Sequence, residues 1–300
     1  MNIKKISLSF TFSALLIYFS AAWYFSSTVL HLDLRECNQE HYVFCDNPNT
    51  QSIDFEDIEY TSTDGLVLPA WYMPAPKANS VNKTILLVHG RGASRHEGMR
   101  YAKPLVTAGY NVVAIDMRHP RQGEGIISTM SFYERNDVIG AVNYIKNRTP
   151  NNDVGVMGFS MGASTSIIAM AEDQRIKAGI FNSGFANATD VLAENAAVMY
   201  GVPRYPLMPA VMSLVALRSG TDTDLINPET YIPKISPRPV FIMHGTEDET
   251  VDFSHGQRLF EAAKQPKDFW IVEGGKHTRL WQADQTSAVN KVLKFFKETL

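Results

Sequence analysis

A chain of 300 residues can form one large domain or two small ones, with a substantial buried core. Its hydrophobic content of 45% and charged content of 20% are typical of globular proteins and argue against a disordered chain. The formal net charge is -3 and the chain has no run of basic residues, so we expect no nucleic-acid partner.

The N-terminal segment is apolar over a membrane-spanning length. Residues 6–30 carry no charged side chain, and as a helix they would extend roughly 37 Å, against a hydrocarbon core of roughly 30 Å. Lys4 and Lys5 precede this segment, which favours a cytoplasmic N-terminus and an extracytoplasmic remainder. We therefore predict a transmembrane signal-anchor over residues 1–31 of a single-pass cell-membrane protein. The alternative is a signal peptide cleaved near residues 20–22, which would give a secreted or periplasmic protein.

The only two cysteines, Cys37 and Cys45, follow this segment closely. An even number of cysteines in one short loop fits a disulfide in an oxidising compartment, and two unrelated reduced thiols are the alternative. The surrounding sequence does not offer four tetrahedral zinc ligands at suitable spacing, so we expect no structural metal. We interpret residues 32–54 as a linker that contains the possible disulfide.

Strands and helices alternate from residue 55 to residue 300. Two extended runs joined at Asp64-Gly65 predict a β-hairpin. The later apolar runs are typical of parallel strands buried on both faces, and helical patterns separate them. These strand runs are "TILLVHG", "NVVAIDM", "DVGVMGF", "KAGIFNSG", "PVFIMHG" and "DFWIVEGG". This order predicts one α/β domain whose mostly parallel sheet has helices on both faces and an antiparallel edge.

Residues from 186 to about 232 interrupt this alternation. The segment is rich in proline and apolar residues but has no strand pattern, which predicts a small helical lid between two strands. Its apolar side chains could line an acyl pocket or simply pack the lid on the body. They are Tyr205, Leu207, Met208, Val211, Met212 and Leu214.

A serine lies between a predicted strand and a predicted helix. Ser160 is flanked by Gly158 and Gly162, and a sharp strand-to-helix turn requires residues without a Cβ there. Such a turn points the central side chain out of the sheet. A serine becomes an effective nucleophile only when a histidine takes its proton and an acid orients that histidine.

Candidates for both partners follow later strands. Asp248 and His277 each come shortly after an apolar strand, and the carboxyl ends of parallel strands open on one edge of the sheet. The order Ser, Asp, His is the one associated with this turn. Glu247 and Asp252 are alternative acids, although Asp252 fits a helix cap better. We predict Ser160, Asp248 and His277 as a catalytic triad.

An oxyanion hole requires two backbone donors. The N–H of Met161 begins the helix after the serine, and we expect the N–H of Arg91 as the second donor, with Gly92 as the alternative. His89 and His244 each end a strand before a glycine, and we expect them to be packed, hydrogen-bonded residues. Four loop arginines could bind a substrate anion or be ordinary loop charges. They are Arg91, Arg95, Arg118 and Arg121.

Taken together, these motifs resemble the α/β-hydrolase superfamily of serine hydrolases, which includes esterases, acyl thioesterases and prolyl-oligopeptidase-like peptidases. "HGRG", "DMRHPRQGEG", "GFSMGA", "HGTEDETV" and "GGKH" occur in the family's order between about residues 55 and 300. The resemblance implies an α/β-hydrolase fold with an eight-stranded sheet, the triad above and a lid. Many relatives carry Arg-Gly-His-Gly-x-Ser after the strand that ends at Asp116, whereas this chain reads "RHPRQGEG".

The sequence predicts a serine hydrolase that cleaves a carboxylic ester of a small-molecule acyl substrate through an acyl-enzyme, with no cofactor. An acyl thioesterase or a peptidase would use the same triad, because the fold does not set specificity. An aminopeptidase would need acidic residues for the substrate amine, and Glu194 is the only one between Asp190 and Asp222. A non-catalytic membrane-tethered binding protein is the remote alternative. The sequence does not predict the oligomeric state.

Overall fold

The structure, a computed structural model, describes residues 3–31, 34–119, 123 and 125–300. Its centre is an eight-stranded sheet in the order β1-β2-β4-β3-β5-β6-β7-β8. The strands are β1 (Glu56–Thr61), β2 (Val67–Met73), β3 (Lys83–Val88), β4 (Asn111–Ile115), β5 (Asp153–Phe159), β6 (Ile176–Asn182), β7 (Val240–Gly245) and β8 (Lys267–Val272).

The sheet is antiparallel at one edge and parallel elsewhere, as predicted. Strand β2 pairs in antiparallel fashion with β1 and β4, and the remaining strands pair in parallel. Strands β3, β4 and β5 are buried along nearly their whole length, which explains why they read as continuous apolar runs. The loops after β5, β7 and β8 therefore open on the same edge of the sheet.

Helices cover both faces of the sheet. Helices α4, α5 and α9 contribute to the hydrophobic cluster on one face, and α3 and α11 contribute to the cluster on the other. The helices are α1 (Ile3–Leu30), α2 (Gln39–Tyr42), α3 (Met99–Thr107), α4 (Glu134–Arg148), α5 (Met161–Glu172), α6 (Ala188–Tyr200), α7 (Leu207–Ser219), α8 (Pro228–Tyr231), α9 (Phe253–Ala262), α10 (Leu280–Ala283) and α11 (Gln285–Thr299).

A helical insertion lies between β6 and β7, where the sequence predicts a lid. Helices α6, α7 and α8 and short 3-10 turns form this insertion. Helix α1 lies outside the layered body and packs along α7. Among the described residues, α1 is the one helix long and apolar enough to cross a membrane, over Phe12–Leu30, and an N-terminal signal sequence would also satisfy this criterion.

The segment after α1 packs on the body. Cys37 and Cys45 form a disulfide with a Cα–Cα distance of 5.4 Å. Within this loop, α2 places Tyr42 in a buried position, and the carbonyl of His41 accepts hydrogen bonds from Arg100 and Gln282. The sequence predicts a linker here, whereas the structure shows an ordered segment at the carboxyl edge of the sheet.

Candidate active site

Ser160 occupies a strained turn between β5 and α5. Its backbone has φ 51° and ψ -123°, a region that non-glycine residues rarely adopt and that costs on the order of 1–3 kcal/mol. A Cβ on Gly158 would collide with the backbone of Gly162 and Ala163, and one on Gly162 would collide with the carbonyl of His89. The two glycines are therefore required by close backbone approach, as the sequence predicts.

The structure brings the three predicted triad residues together. The distance from His277 Nε2 to Ser160 Oγ is 2.9 Å, and that from His277 Nδ1 to Asp248 Oδ2 is 2.8 Å. A histidine that donates its Nδ1–H to a carboxylate leaves Nε2 free to accept the proton of the serine. This arrangement has the geometry of a nucleophile, a base and an orienting acid.

Asp248 lies in a polar but buried site. Its Oδ1 accepts the backbone N–H groups of Thr250 and Val251 at 3.0 and 2.8 Å. Burial alone would raise the pKa of Asp248. The hydrogen bonds from His244 and His277 outweigh burial and hold that pKa well below its usual range, so the group is ionised at neutral pH.

His244 supports the same carboxylate, a contact that sequence reasoning missed. This fully buried side chain places Nε2 2.8 Å from the Val251 carbonyl oxygen and 3.4 Å from Asp248 Oδ2. It thus ties the end of β7 to the loop that carries the acid. Its prediction as a packed, hydrogen-bonded residue agrees with the structure, and the spacing of four residues from Asp248 was the available signal.

The two predicted oxyanion donors belong to residues that line the same cavity as Ser160. The N–H of Met161 is the first of α5, where backbone donors have no partner within the helix. Arg91 and Ser160 line the same cavity. Within the described part of the chain, neither amide has an intramolecular acceptor. The oxyanion role of these two groups remains a prediction.

Glu97 is a second buried residue beside the site whose contacts sequence reasoning missed. Its buried carboxylate accepts the N–H of Gly90 at 2.6 Å, and His41 Nε2 lies 3.5 Å from its other oxygen. Burial alone would raise the pKa of Glu97. The hydrogen bond from His41 and the charge of Arg100 outweigh burial and lower that pKa to about 2. An anchored Gly90 fixes the loop that presents the Arg91 amide.

The described loop arginines are engaged within the protein. Arg91 donates to the carbonyls of Thr28 and Val29 at 2.8 and 2.9 Å. Arg95 pairs with Asp116, and Arg118 with Asp64 and Asp137. Arg121 lies outside the described residues. These contacts favour structural roles over substrate binding for the three described arginines.

A cavity of about 550 Å³ opens above Ser160 and His277. Its walls come from the end of α1, the lid and the loop around Arg91. Residues 34–54, which contain the Cys37–Cys45 disulfide and which we call the disulfide segment, form a further wall. The apolar residues that line it are Phe25, Val29, Tyr42, Ala93, Met130, Met161, Phe185, Val191, Leu192, Ala196, Met199, Tyr200, Met208, Val211 and Val251. Of the six lid residues considered as pocket lining, it includes Met208 and Val211. Such a space suits an apolar acyl group next to the serine.

Over the described residues, no three metal-ligating side chains are grouped closely enough to hold a metal.

Comparisons with known proteins agree with this architecture. A family model described as alpha/beta hydrolase fold matches residues 83–210. The uncharacterised protein YqkD of Bacillus subtilis is 27% identical over 249 residues, which cover 80% of this chain and 81% of that protein. The structure of the esterase PF2001 of Pyrococcus furiosus superposes with a TM-score of 0.69 at 24% identity, over 90% of this chain and 98% of that one.

An acylaminoacyl peptidase has a similar but larger chain. The Pyrococcus horikoshii enzyme superposes with a TM-score of 0.60 at 16% identity, over 83% of this chain and only 42% of the peptidase. This likeness shows a shared fold, and more than half of the peptidase has no counterpart here.

Proposed function

We propose that this chain, which has the α/β-hydrolase fold, is a serine hydrolase that cleaves a carboxylic ester through an acyl-enzyme. The observation that carries this proposal is the position of His277 between the Ser160 hydroxyl and the Asp248 carboxylate. The esterase among the structural neighbours supports the same class of reaction.

The contacts support a two-step mechanism. Ser160 Oγ attacks the ester carbonyl while His277 Nε2 takes its proton, and ionised Asp248 stabilises the resulting imidazolium. The N–H groups of Arg91 and Met161 stabilise the oxyanion of the tetrahedral intermediate. His277 then returns the proton to the departing alcohol. Water, activated by the same histidine, releases the acid and regenerates Ser160.

An ester substrate fits the cavity better than a peptide with a free amino terminus. The cavity is lined mainly by apolar side chains, and the nearby lid carboxylates are already paired. Glu194 contacts His255 at 2.9 Å, and Asp190 pairs with Arg204 and Arg258. An amine-binding carboxylate would have to be released from these contacts. Thioesters and blocked peptides remain chemically compatible with the triad.

The domain is proposed to be tethered on the extracytoplasmic side of a cell membrane. The apolar span of α1 and the disulfide between Cys37 and Cys45 both fit a membrane-anchored or secreted protein. Lys4 and Lys5 before the span favour a cytoplasmic N-terminus. Cleavage of the segment would instead give a secreted or periplasmic enzyme.

Hydrolysis of p-nitrophenyl esters from acetate to palmitate by the full chain in detergent tests the proposed reaction. We expect a rate that peaks at one chain length and falls by at least about a thousandfold in Ser160→Ala and His277→Ala. Ser94→Ala is the matched control, because this half-buried serine also contacts a histidine, His96, at 2.9 Å. Equal ester hydrolysis by wild type and Ser160→Ala would contradict the proposal.

A further inference from the structure

Exposed apolar side chains are concentrated on α1 and on the lid. All but three of the exposed large hydrophobic residues in the described chain lie there, the three being Val67, Val81 and Ile271. We call the exposed large hydrophobic residues of α6, α7 and the turn between them the lid patch. They are Val198, Met199, Tyr200, Tyr205 and Leu217. A concentration of this kind on a water-soluble surface marks a contact with an apolar partner.

The lid patch is continuous with α1. The rings of Phe25 and Tyr200 meet with their centroids 5.3 Å apart, and the Tyr18 hydroxyl donates to the Pro206 carbonyl at 2.9 Å. Arg218 donates to the hydroxyl of Ser26 at 2.7 Å, and its guanidinium lies 4.1 Å from the centre of the Trp23 ring. Any membrane that α1 crosses therefore also meets the lid.

The positions of these contacts along α1 indicate how deeply the lid would lie in a bilayer that α1 spans. Lys5 and Trp23 are separated by about 27 Å of helix, close to the hydrocarbon thickness of about 30 Å. The Trp23 ring and the Arg218 guanidinium thus lie where aromatic and basic side chains mark the membrane interface. Pro206 contacts Tyr18, which precedes Trp23 by about 7.5 Å of helix and so lies nearer the bilayer centre. In a bilayer spanned by α1, the start of α7 would accordingly reach into the extracytoplasmic leaflet.

The same elements form a path to the serine. Phe25 and Val29 of α1 and Tyr200 and Met208 of the lid line the cavity that contains Ser160. Arg91 donates to the last carbonyls of α1, so the loop that presents the predicted oxyanion amide is attached to this helix. An acyl chain lying beside α1 would reach the serine without crossing water.

We propose that the lid patch docks on the extracytoplasmic leaflet and that the substrate is an acyl ester held in that leaflet, whose chain enters the cavity between α1 and α6. This inference rests on the proposed function. Hydrolysis adds water across the ester bond, leaves the fatty acid in the membrane and releases the alcohol portion. The bilayer, rather than a second protein, is the favoured partner, because the patch continues the face of an apolar helix of membrane-spanning length.

Two esters and one pair of variants test this substrate class. The full chain is placed in phosphatidylcholine nanodiscs and given either p-nitrophenyl palmitate within the bilayer or p-nitrophenyl butyrate in solution. Val198→Glu and Leu217→Glu introduce charge at side chains that are 78% and 80% exposed and lie outside the cavity lining. Val67→Glu is the matched control, because Val67 is 60% exposed on β2, outside the lid and α1.

We expect each lid variant to lose at least tenfold of the palmitate rate while the butyrate rate stays within twofold of wild type, and Val67→Glu to change neither. Unchanged palmitate hydrolysis in both lid variants, or equal loss of both activities, would overturn the docking proposal. A dimer that dissociates in the lid variants without loss of palmitate hydrolysis would assign the patch to a second copy and also overturn it. Wild-type protein that hydrolyses neither ester would instead refute the proposed function itself.

Discussion

Glu97 shows how a single buried side chain can position a loop beside the candidate nucleophile. Its carboxylate holds the N–H of Gly90, and a Cβ on Gly90 would come within 2.9 Å of the Ser160 Cβ. The loop therefore passes directly beside the serine. We interpret Glu97 as a positioning residue for the Arg91 amide, one residue further along the chain.

Glu97→Gln should make the stability of the fold less sensitive to acid. The same change should also lower activity. The pKa of Glu97 is about 2 in the folded protein, against 4.5 for an unperturbed glutamate. A depressed carboxyl pKa stabilises the folded state above about pH 4.5, and this contribution is lost as the pH falls toward 2. Between pH 5 and pH 3 we expect the free energy of unfolding of wild type to fall by about 2 kcal/mol more than that of the variant. Denaturant titrations at pH 5, 4 and 3 measure this difference. Exposed Glu261→Gln should behave like wild type, and parallel curves for all three proteins would refute the assignment.

Asp248→Asn tests whether Asp248, rather than the adjacent Glu247, is the acid of the triad. An amide cannot stabilise the imidazolium of His277, so we expect kcat to fall by about 10³ to 10⁴-fold with little change in KM. Exposed Glu247→Gln is the control, because this residue is the adjacent alternative and should retain nearly full activity. The assignment would be wrong if steady-state ester kinetics gave the larger loss in Glu247→Gln.

At the scale of elements, the disulfide segment forms part of the site. Helix α2 carries His41, which lines the cavity and contacts Glu97 and Thr278. Thr278 follows His277 directly. The Cys37–Cys45 disulfide closes this short loop. The loop therefore fixes one wall of the cavity against the loop at Gly90 and the loop that carries His277.

The double variant Cys37→Ser, Cys45→Ser should weaken both stability and activity. Loss of closure over a separation of eight residues costs about 2 to 3 kcal/mol in the chain-entropy account. We expect a several-fold lower kcat/KM for a long-chain ester, because His41 loses its fixed position. Dithiothreitol should reproduce the loss in wild type and have no effect on the variant. Full ester activity in the reduced protein would show that the segment does not support the site.

The sequence was sufficient for the elements whose signals are local. Apolar runs identify the parallel strands, and the glycines around Ser160 identify the turn, because both depend on neighbours within a few residues. Contacts that join distant segments had no such signal. The Arg218 contact with Ser26 spans 192 positions and the Thr278 contact with His41 spans 237. Short sequence patterns do not reveal these approaches, and for this reason the sequence predicts only a linker where the structure has the disulfide segment.

For the molecule as a whole, the proposed role of α1 is to anchor the domain to a membrane. We expect the full chain expressed in a bacterial membrane to remain in the pellet after alkaline carbonate washing, with an intact N-terminus. Leu15→Lys with Leu16→Lys should release it, because each central lysine costs about 3 kcal/mol on insertion. Both leucines are exposed on α1, so these changes leave the packed body intact. A wild-type chain that is washed out and begins after Ala22 would contradict anchoring and indicate a cleaved signal peptide.

Covalent labelling determines directly whether Ser160 is an activated nucleophile. The full chain is treated with a fluorophosphonate and the modified peptide is identified by mass spectrometry. We predict one phosphonylated residue, Ser160, with labelling abolished in Ser160→Ala and His277→Ala and retained in Ser94→Ala. An unlabelled folded wild-type chain, or a label on another serine, would show that Ser160 is not the activated nucleophile.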